Sequence, residues 1–156
     1  MKEDVLAEYG VAVDAARRYP HLLQAVLDCP NPRLLAEFYR ELLGYVYRAG
    51  DETPPAGEDD PKGRDWLVLV APSGEPRLAF QQVADLPRPT WPDTGTPQQA
   101  HLDLTVPDER ALAEQHKRAL HLGAQLLLDR ADDPLERLYV YADPAGHPFC
   151  IFVPVA

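Results

Sequence analysis

The sequence predicts an α+β fold of two tandem β-α-β-β-β modules. Three observations predict it: the two halves resemble one another, each half has one amphipathic helix among short strand-like runs, and 17 prolines interrupt the chain. The repeated positions lie on a helix face and in turns, where geometry restricts residue choice. Under offsets of 77 and 72 positions they include Arg33 with Arg110, Leu35 with Leu112, Ala36 with Ala113, Val68 with Val140, Gly74 with Gly146 and Phe80 with Phe152.

The first module is predicted over residues 21–84. A strand-like run over 21–29 precedes Asn31, which is a good helix N-cap, and Pro32, which suits the first helical position. Apolar residues then recur at helical spacing until Gly44, a typical C-terminal stop. Strands are predicted to begin at Tyr45 and to cover 65–71 and 77–83, with a solvated loop over 50–63.

The second module, over residues 98–156, follows the same order. A strand over 99–106 precedes a helix over 109–122 that stops at Gly123, and further strands are predicted near Gln125, Leu138 and Phe149. Proline-rich residues 85–97 are the predicted linker between the modules. Residues 1–20 are predicted to form an accessory amphipathic helix outside the 21–156 domain.

Composition excludes several classes of protein. The chain of 156 residues is 46% hydrophobic and 26% charged, with a formal net charge of -10. That charge argues against nucleic acid or an anionic membrane as a partner, because both require clustered Lys and Arg. No apolar run reaches the length of about 18 residues that spans a membrane, and the N-terminus lacks the apolar stretch of a secretory signal. A cytoplasmic protein is therefore expected.

Several motifs resemble the vicinal-oxygen-chelate superfamily of glyoxalases, bleomycin-resistance proteins and extradiol dioxygenases, and its glyoxalase-like domains in particular. The motifs are Asn31-Pro32, Phe38-Tyr39, Leu43-Gly44, His101-Leu102-Asp103-Leu104, Leu122-Gly123-Ala124 and Asp143-Pro144-Ala145-Gly146-His147-Pro148-Phe149. The resemblance covers about residues 21–155. It implies that the modules curl into a mixed sheet around a cavity and that two chains form a homodimer.

The resemblance also implies where a metal site would lie. Metal-dependent members use positions that fall on Gln24 and His101 in the first strands, and on Leu78 and Cys150 in the last strands. Leu78 cannot bind a metal, and catalytic divalent sites normally need three or more His or carboxylate ligands. No cofactor is therefore expected. If a divalent metal is bound, His101 and Gln24 are its candidate ligands.

Strand alternation predicts the residues that line the cavity. His101 and Asp103 would share one face of their strand, and Gln24 and Asp28 the equivalent face of the first strand. His101 is the candidate general acid or base, with Asp103 orienting it. The same pattern arises in any sheet with one solvated face, so alternation alone does not require a ligand.

Other side chains complete the predicted pocket. Trp66, Phe80, Cys150 and Phe152 are predicted to contact a ligand, the aromatic rings acting as flat walls for a planar molecule. Cys150 lies in an apolar strand, so an inert buried thiol is expected there rather than a nucleophile. His116 and His121 are predicted to be exposed on the second helix, and His147 to serve a turn.

Two functions of different classes follow. The first is a small-molecule enzyme of the superfamily with lyase, isomerase or dioxygenase-like chemistry but without a complete standard metal site. The second is a non-catalytic protein that sequesters a small molecule, as bleomycin-resistance members do. A third hypothesis is an interaction protein whose cavity is filled by its own side chains.

Overall fold

Two separate four-stranded sheets pack against a pair of helices in the structure, a computed structural model that describes residues 20–155. The first module contains β1 (Ala25–Cys29), α1 (Pro32–Leu43), β2 (Val46–Tyr47), β3 (Trp66–Val70) and β4 (Arg77–Gln82). The second contains β5 (Leu102–Thr105), α2 (Glu109–Leu122), β6 (Gln125–Asp129), β7 (Leu138–Ala142) and β8 (Pro148–Phe152). The predicted α+β class and tandem modules are confirmed. The predicted accessory helix lies outside the described residues, except for Pro20.

Both sheets are mixed and have the same topology. Their strand orders are β1-β4-β3-β2 and β5-β8-β7-β6. The first strand of each module pairs in parallel with the last, and the remaining pairs are antiparallel. No helix in the described part of the chain is long and apolar enough to cross a membrane.

Capping residues define both helices. The Asn31 side chain accepts a hydrogen bond from the Leu34 backbone N–H at 3.1 Å, as predicted for an N-cap, and α1 ends at Gly44 with φ of 67°. In α2, the Asp108 carboxylate accepts from the Ala111 N–H at 2.8 Å. These N-caps define the residue at which each helix begins.

The two modules share one hydrophobic core. Five aromatic rings lie at its centre, with neighbouring centroids 5.0–6.2 Å apart: Phe38, Tyr39, Phe80, Tyr141 and Phe149. Rings from α1 and β4 of the first module are therefore buried against rings from β7 and β8 of the second. Aromatic pairs at these separations stabilise a core beyond the burial of their area.

The hairpin between β3 and β4 is one residue longer than the one between β7 and β8. Backbone hydrogen bonds close the first from Ala71 to Pro76 and the second from Asp143 to His147. A shift of one residue moves every following side chain to the other face of the sheet. The structural counterpart of Cys150 is consequently Ala79 rather than Leu78, and that of Phe152 is Gln81.

Phe80, a predicted ligand contact, lies on the core face of its sheet for this reason. Phe80 pairs with Leu27 on the core face of the first sheet, has no solvent exposure and stacks on Tyr39 at 6.0 Å. The longer hairpin also affects Leu78. It pairs with Ala25 on the core face of the first sheet and belongs to the core.

The loop over 50–63 is largely exposed, as predicted, but one buried residue anchors it. Asp51 is fully buried, and its carboxylate accepts from the Val68 N–H and from Lys62 Nζ, both at 3.0 Å. Arg48 also pairs with it at 3.0 Å. The buried carboxylate therefore anchors this segment to the middle of β3.

Candidate functional site

A cavity of about 500 Å³ lies on the face of the second sheet that points away from the helices. Strands β5, β7 and β8 form its floor, and the segment before β7, the linker and the C-terminal segment form its sides. Its walls are mainly apolar and include Trp91, Leu135, Leu138, Val140, Phe152 and Val155. A concave, mostly apolar surface with few polar groups is typical of small-molecule sites.

His101, Asp103 and Cys150 form the polar end of this cavity. The parallel register of β5 and β8 places Asp103 opposite Cys150, while Leu102 and Leu104 pack towards the core. His101 Nε2 lies 3.2 Å from Asp103 Oδ1, and the Cys150 thiol donates to the same oxygen at 2.9 Å. One carboxylate oxygen thus organises both neighbours.

Cys150 is a protonated thiol in this environment. Burial, followed by its hydrogen bond to Asp103, raises its pKa to about 12. The thiolate is the nucleophilic form of cysteine. Cys150 is therefore suited to donating a hydrogen bond at neutral pH and not to attacking a ligand.

Two further polar side chains at the cavity are already held by ion pairs. Arg137 Nε contacts Glu109 Oε1 at 2.8 Å, and Glu136 pairs with Arg130. Gln98 differs, because its Oε1 atom is buried and has no hydrogen-bond partner among the described residues. Buried polar atoms are rarely left unpaired, so Gln98 is a candidate ligand contact. No signal in the sequence points to Gln98, since a glutamine in a polar segment between the linker and β5 has no distinguishing context.

The structure brings together four of the eight predicted site residues. These are His101, Asp103, Cys150 and Phe152, and all four line the cavity on the second sheet. Whether they act on a ligand stays a prediction.

The remaining predicted residues lie elsewhere. Gln24 lines a second cavity of about 570 Å³ between β1, β4 and β5, where its Oε1 atom is also buried without a partner in the described chain. Asp28 is exposed and Trp66 half-buried, and neither lines either cavity. Phe80 lies in the core.

The described residues do not fit the metal site that the superfamily implies. His101 and Gln24 line different cavities, Leu78 offers no ligand atom, and the Cys150 thiol is hydrogen-bonded to Asp103. Within residues 20–155, no group of three or more His, Cys, Asp or Glu side chains could hold a metal ion. A hard divalent cation requires more oxygen or imidazole donors than this arrangement supplies.

The prediction that His116 is exposed on α2 is wrong, because the side chain is partly buried against β7. Its ring stacks on Tyr139 with centroids 4.1 Å apart and planes 18° apart, and its Nδ1 lies 2.8 Å from the Tyr141 hydroxyl. Both tyrosines lie on the helix side of β7, so these contacts are part of the packing between α2 and the sheet. His121 is exposed, as predicted.

His147 serves the turn, as predicted, through a buried carboxylate. Asp143 is 1% exposed and accepts from the backbone N–H groups of Ala145, Gly146 and His147 at 2.8–3.0 Å. Its Oδ2 also accepts from the Tyr39 hydroxyl and contacts His147 Nδ1, each at 2.9 Å. The motif therefore joins the second module to α1 of the first.

Similar folds occur in several solved proteins. A glyoxalase/bleomycin resistance protein/dioxygenase family enzyme from Burkholderia phytofirmans superposes with a TM-score of 0.64 at 14% identity, covering 87% of this chain and 100% of that one. The fosfomycin resistance protein FosX from Listeria monocytogenes, solved with Mn(II) and 1S,2S-dihydroxypropylphosphonic acid, gives 0.61 at 12%, covering 88% and 92%. At these identities, the likeness shows the fold alone.

A possible glyoxalase from Bacillus cereus superposes with a TM-score of 0.59 at 12% identity, covering 86% of this chain and 99% of that one. No curated protein sequence matches the chain. The family model described as "Glyoxalase-like domain" matches residues 24–152, which include both modules and the linker. The chain therefore belongs to the glyoxalase-like domain family.

Proposed function

We propose that the chain binds an organic small molecule in the cavity on its second sheet. The observation that carries this proposal is the cavity itself, about 500 Å³ with apolar walls and a polar end at His101, Asp103 and Cys150. The apolar part of the ligand would pack against Val140, Phe152 and neighbouring side chains. Its polar part would contact the His101–Asp103 pair.

Binding without a metal accounts best for the polar end. The Cys150 thiol is protonated and donates to Asp103, so it provides no nucleophile at neutral pH. Within residues 20–155, no group of three or more His, Cys, Asp or Glu side chains could hold a metal ion. A sequestration protein needs only shape, apolar contact and a few hydrogen bonds, all of which this cavity can supply.

One contact favours a second candidate function, acid–base catalysis. The 3.2 Å contact between His101 Nε2 and Asp103 Oδ1 orients the imidazole at the cavity. An oriented histidine is the commonest general acid or base near neutral pH. In this reading His101 would transfer a proton to or from the bound molecule, as an isomerase or lyase step requires.

A screen for thermal stabilisation by a panel of planar and aliphatic compounds tests binding, because any ligand that binds only the folded state raises Tm. Val140→Phe would fill the cavity and abolish stabilisation by each hit. The matched control, Val46→Phe, adds the same ring at an edge strand where Val46 is 54% exposed. Equal loss of binding in both variants, or hits unaffected by Val140→Phe, would reject this cavity as the site.

The two candidate functions separate under prolonged incubation. Each hit would be incubated with the wild-type protein and with His101→Gln, and followed by NMR for conversion. Unchanged compound in both samples supports sequestration. Conversion that disappears in His101→Gln supports acid–base catalysis.

A homodimer is also proposed. Leu135 and Val155 at the cavity are 79% and 77% exposed, which are large apolar surfaces for a monomer to leave in water. A second copy covering them would narrow the entrance to the cavity. Light scattering after size exclusion should give twice the mass of 17.4 kDa, and Leu135→Asp should shift it to the monomer value.

A further inference from the structure

Resting on the proposed function, we infer that the cavity on the second sheet selects molecules with a cationic or hydrogen-bond-donating group on an apolar body, and discriminates against anions. Three properties of the described residues support this: the unpaired polar atoms are acceptors, the nearby cations are already neutralised, and the remaining walls are apolar.

Acceptor atoms dominate the available polar groups. Both close contacts of Asp103 use Oδ1, so within the described chain Oδ2 remains available to a ligand. Gln98 Oε1 is buried at the same cavity without a hydrogen-bond partner in residues 20–155. If neutral His101 donates its Nε2–H to Asp103, its Nδ1 is a third acceptor, because a neutral imidazole has one donor and one acceptor nitrogen.

No lining cation is left to bind an anion in the part of the chain that the structure describes. Arg137, the lining arginine, is paired with Glu109 at 2.8 Å. Glu136 is a second carboxylate at the cavity, and Arg130 neutralises its charge. The charge of Arg130 is therefore balanced by Glu136 and not by a ligand. A bound anion would therefore face the Asp103 carboxylate, which has no Lys or Arg partner among the described residues, without a cation of its own.

The apolar walls increase this discrimination. A ligand that fills the cavity displaces water from between its charged group and Asp103, and electrostatic interactions strengthen as water is excluded. A cation that pairs with Asp103 and donates a hydrogen bond to Gln98 would be satisfied itself and would satisfy both side chains. An anion in the same position would lose its hydration without gaining a partner.

Three probes with the same naphthalene body test the inference: 1-naphthylmethylamine as the cation, 1-naphthalenemethanol as the neutral donor and 1-naphthoate as the anion. Isothermal titration calorimetry at pH 7.5 and low salt should show the amine binding most tightly, then the alcohol. The carboxylate should bind roughly tenfold or more weakly than the amine, since a charge-assisted hydrogen bond is worth at least that factor.

Two variants locate the selectivity. Asp103→Asn keeps the shape of the side chain and should reduce the preference for the amine over the carboxylate roughly tenfold. The control, Glu58→Gln, changes the net charge by the same amount at an exposed loop position away from the cavity. Gln98→Met removes the amide acceptor and should weaken the amine and alcohol while leaving 1-methylnaphthalene unaffected.

Each outcome has one meaning. The predicted order of affinities, lost in Asp103→Asn but not in Glu58→Gln, supports the inference. Amine and carboxylate of equal affinity, or an equal effect of the two charge variants, would overturn the inference while leaving small-molecule binding intact. No binding of any of the four naphthalene compounds would count against the proposed function itself.

Discussion

Asp143 is the group whose removal should destabilise the fold most clearly. Its carboxylate is 1% exposed and accepts hydrogen bonds from three backbone N–H groups and from the buried hydroxyl of Tyr39. In Asp143→Ala the Tyr39 hydroxyl and the Ala145 and His147 N–H groups lose this acceptor, while the Gly146 N–H keeps its bond to the backbone carbonyl of residue 143 at 2.9 Å. Burial, together with the negative charge of Asp143, holds the pKa of Tyr39 well above its usual value, so its hydroxyl remains a donor throughout the neutral range.

The magnitude follows from the donor that water cannot reach. Leaving a buried donor unsatisfied costs about 1–3 kcal/mol, and the Tyr39 hydroxyl is such a donor, whereas the Gly146 N–H keeps its backbone acceptor. The other two N–H groups are partly buried, so water can replace the carboxylate there. We expect Asp143→Ala to lower the free energy of unfolding by about 1–3 kcal/mol.

Urea unfolding followed by far-UV circular dichroism measures this change, with the exposed Asp85→Ala as the matched control. Tyr39→Phe supplies a sharper test, because it removes the donor that the carboxylate satisfies. In the wild-type background it should cost about 1 kcal/mol. In the Asp143→Ala background it should cost nothing or restore stability, since the unsatisfied hydroxyl is then absent. A loss below 1 kcal/mol in Asp143→Ala, or the same cost of Tyr39→Phe in both backgrounds, would refute the reasoning.

Three further predictions concern single side chains. Cys150 should react slowly with iodoacetamide at pH 7, and faster as pH rises past 9, because its pKa is raised to about 12; rapid labelling at neutral pH, detected by mass spectrometry, would contradict this. His101→Ala should change the free energy of unfolding by less than about 1 kcal/mol, since its side chain is 50% exposed; a loss above about 3 kcal/mol in urea unfolding would make it a core residue. His116→Ala should cost about 1–2 kcal/mol through its stack on Tyr139 and its bond to Tyr141, whereas the exposed His121→Ala should cost less than about 0.5 kcal/mol; equal Tm values for the two variants would show that the contacts of His116 contribute nothing.

Local signals in the sequence were sufficient for the fold and for one wall of the site. Asn31, Pro32 and Gly44 mark the limits of α1, and alternation along β5 separates His101 and Asp103 from Leu102 and Leu104. Both signals depend on nearest neighbours in the chain, which is why they can be read without a structure.

Features that depend on turn length or on distant packing could not be predicted in the same way. The repeat between Pro72-Ser73-Gly74 and Pro144-Ala145-Gly146 suggested hairpins of equal length, yet the first closes one residue later. That residue reverses the faces of β4 and places Phe80 in the core. His116 lies among polar helical neighbours, and only the approach of Tyr139 and Tyr141 from a strand 25 residues further along the chain accounts for its burial.

The shared aromatic core has a consequence for how a duplicated chain can change. Tyr39 of α1 packs on Phe149 of β8 and donates a hydrogen bond to Asp143, which lies 104 residues away. Neither half therefore completes its interior without the other, and the chain should unfold as one cooperative unit instead of two. In the shared core, a substitution in one half is constrained by the residue that it contacts in the other half. The outward faces of the sheets are free of that constraint, so the two modules can diverge there until only one of them carries a ligand site.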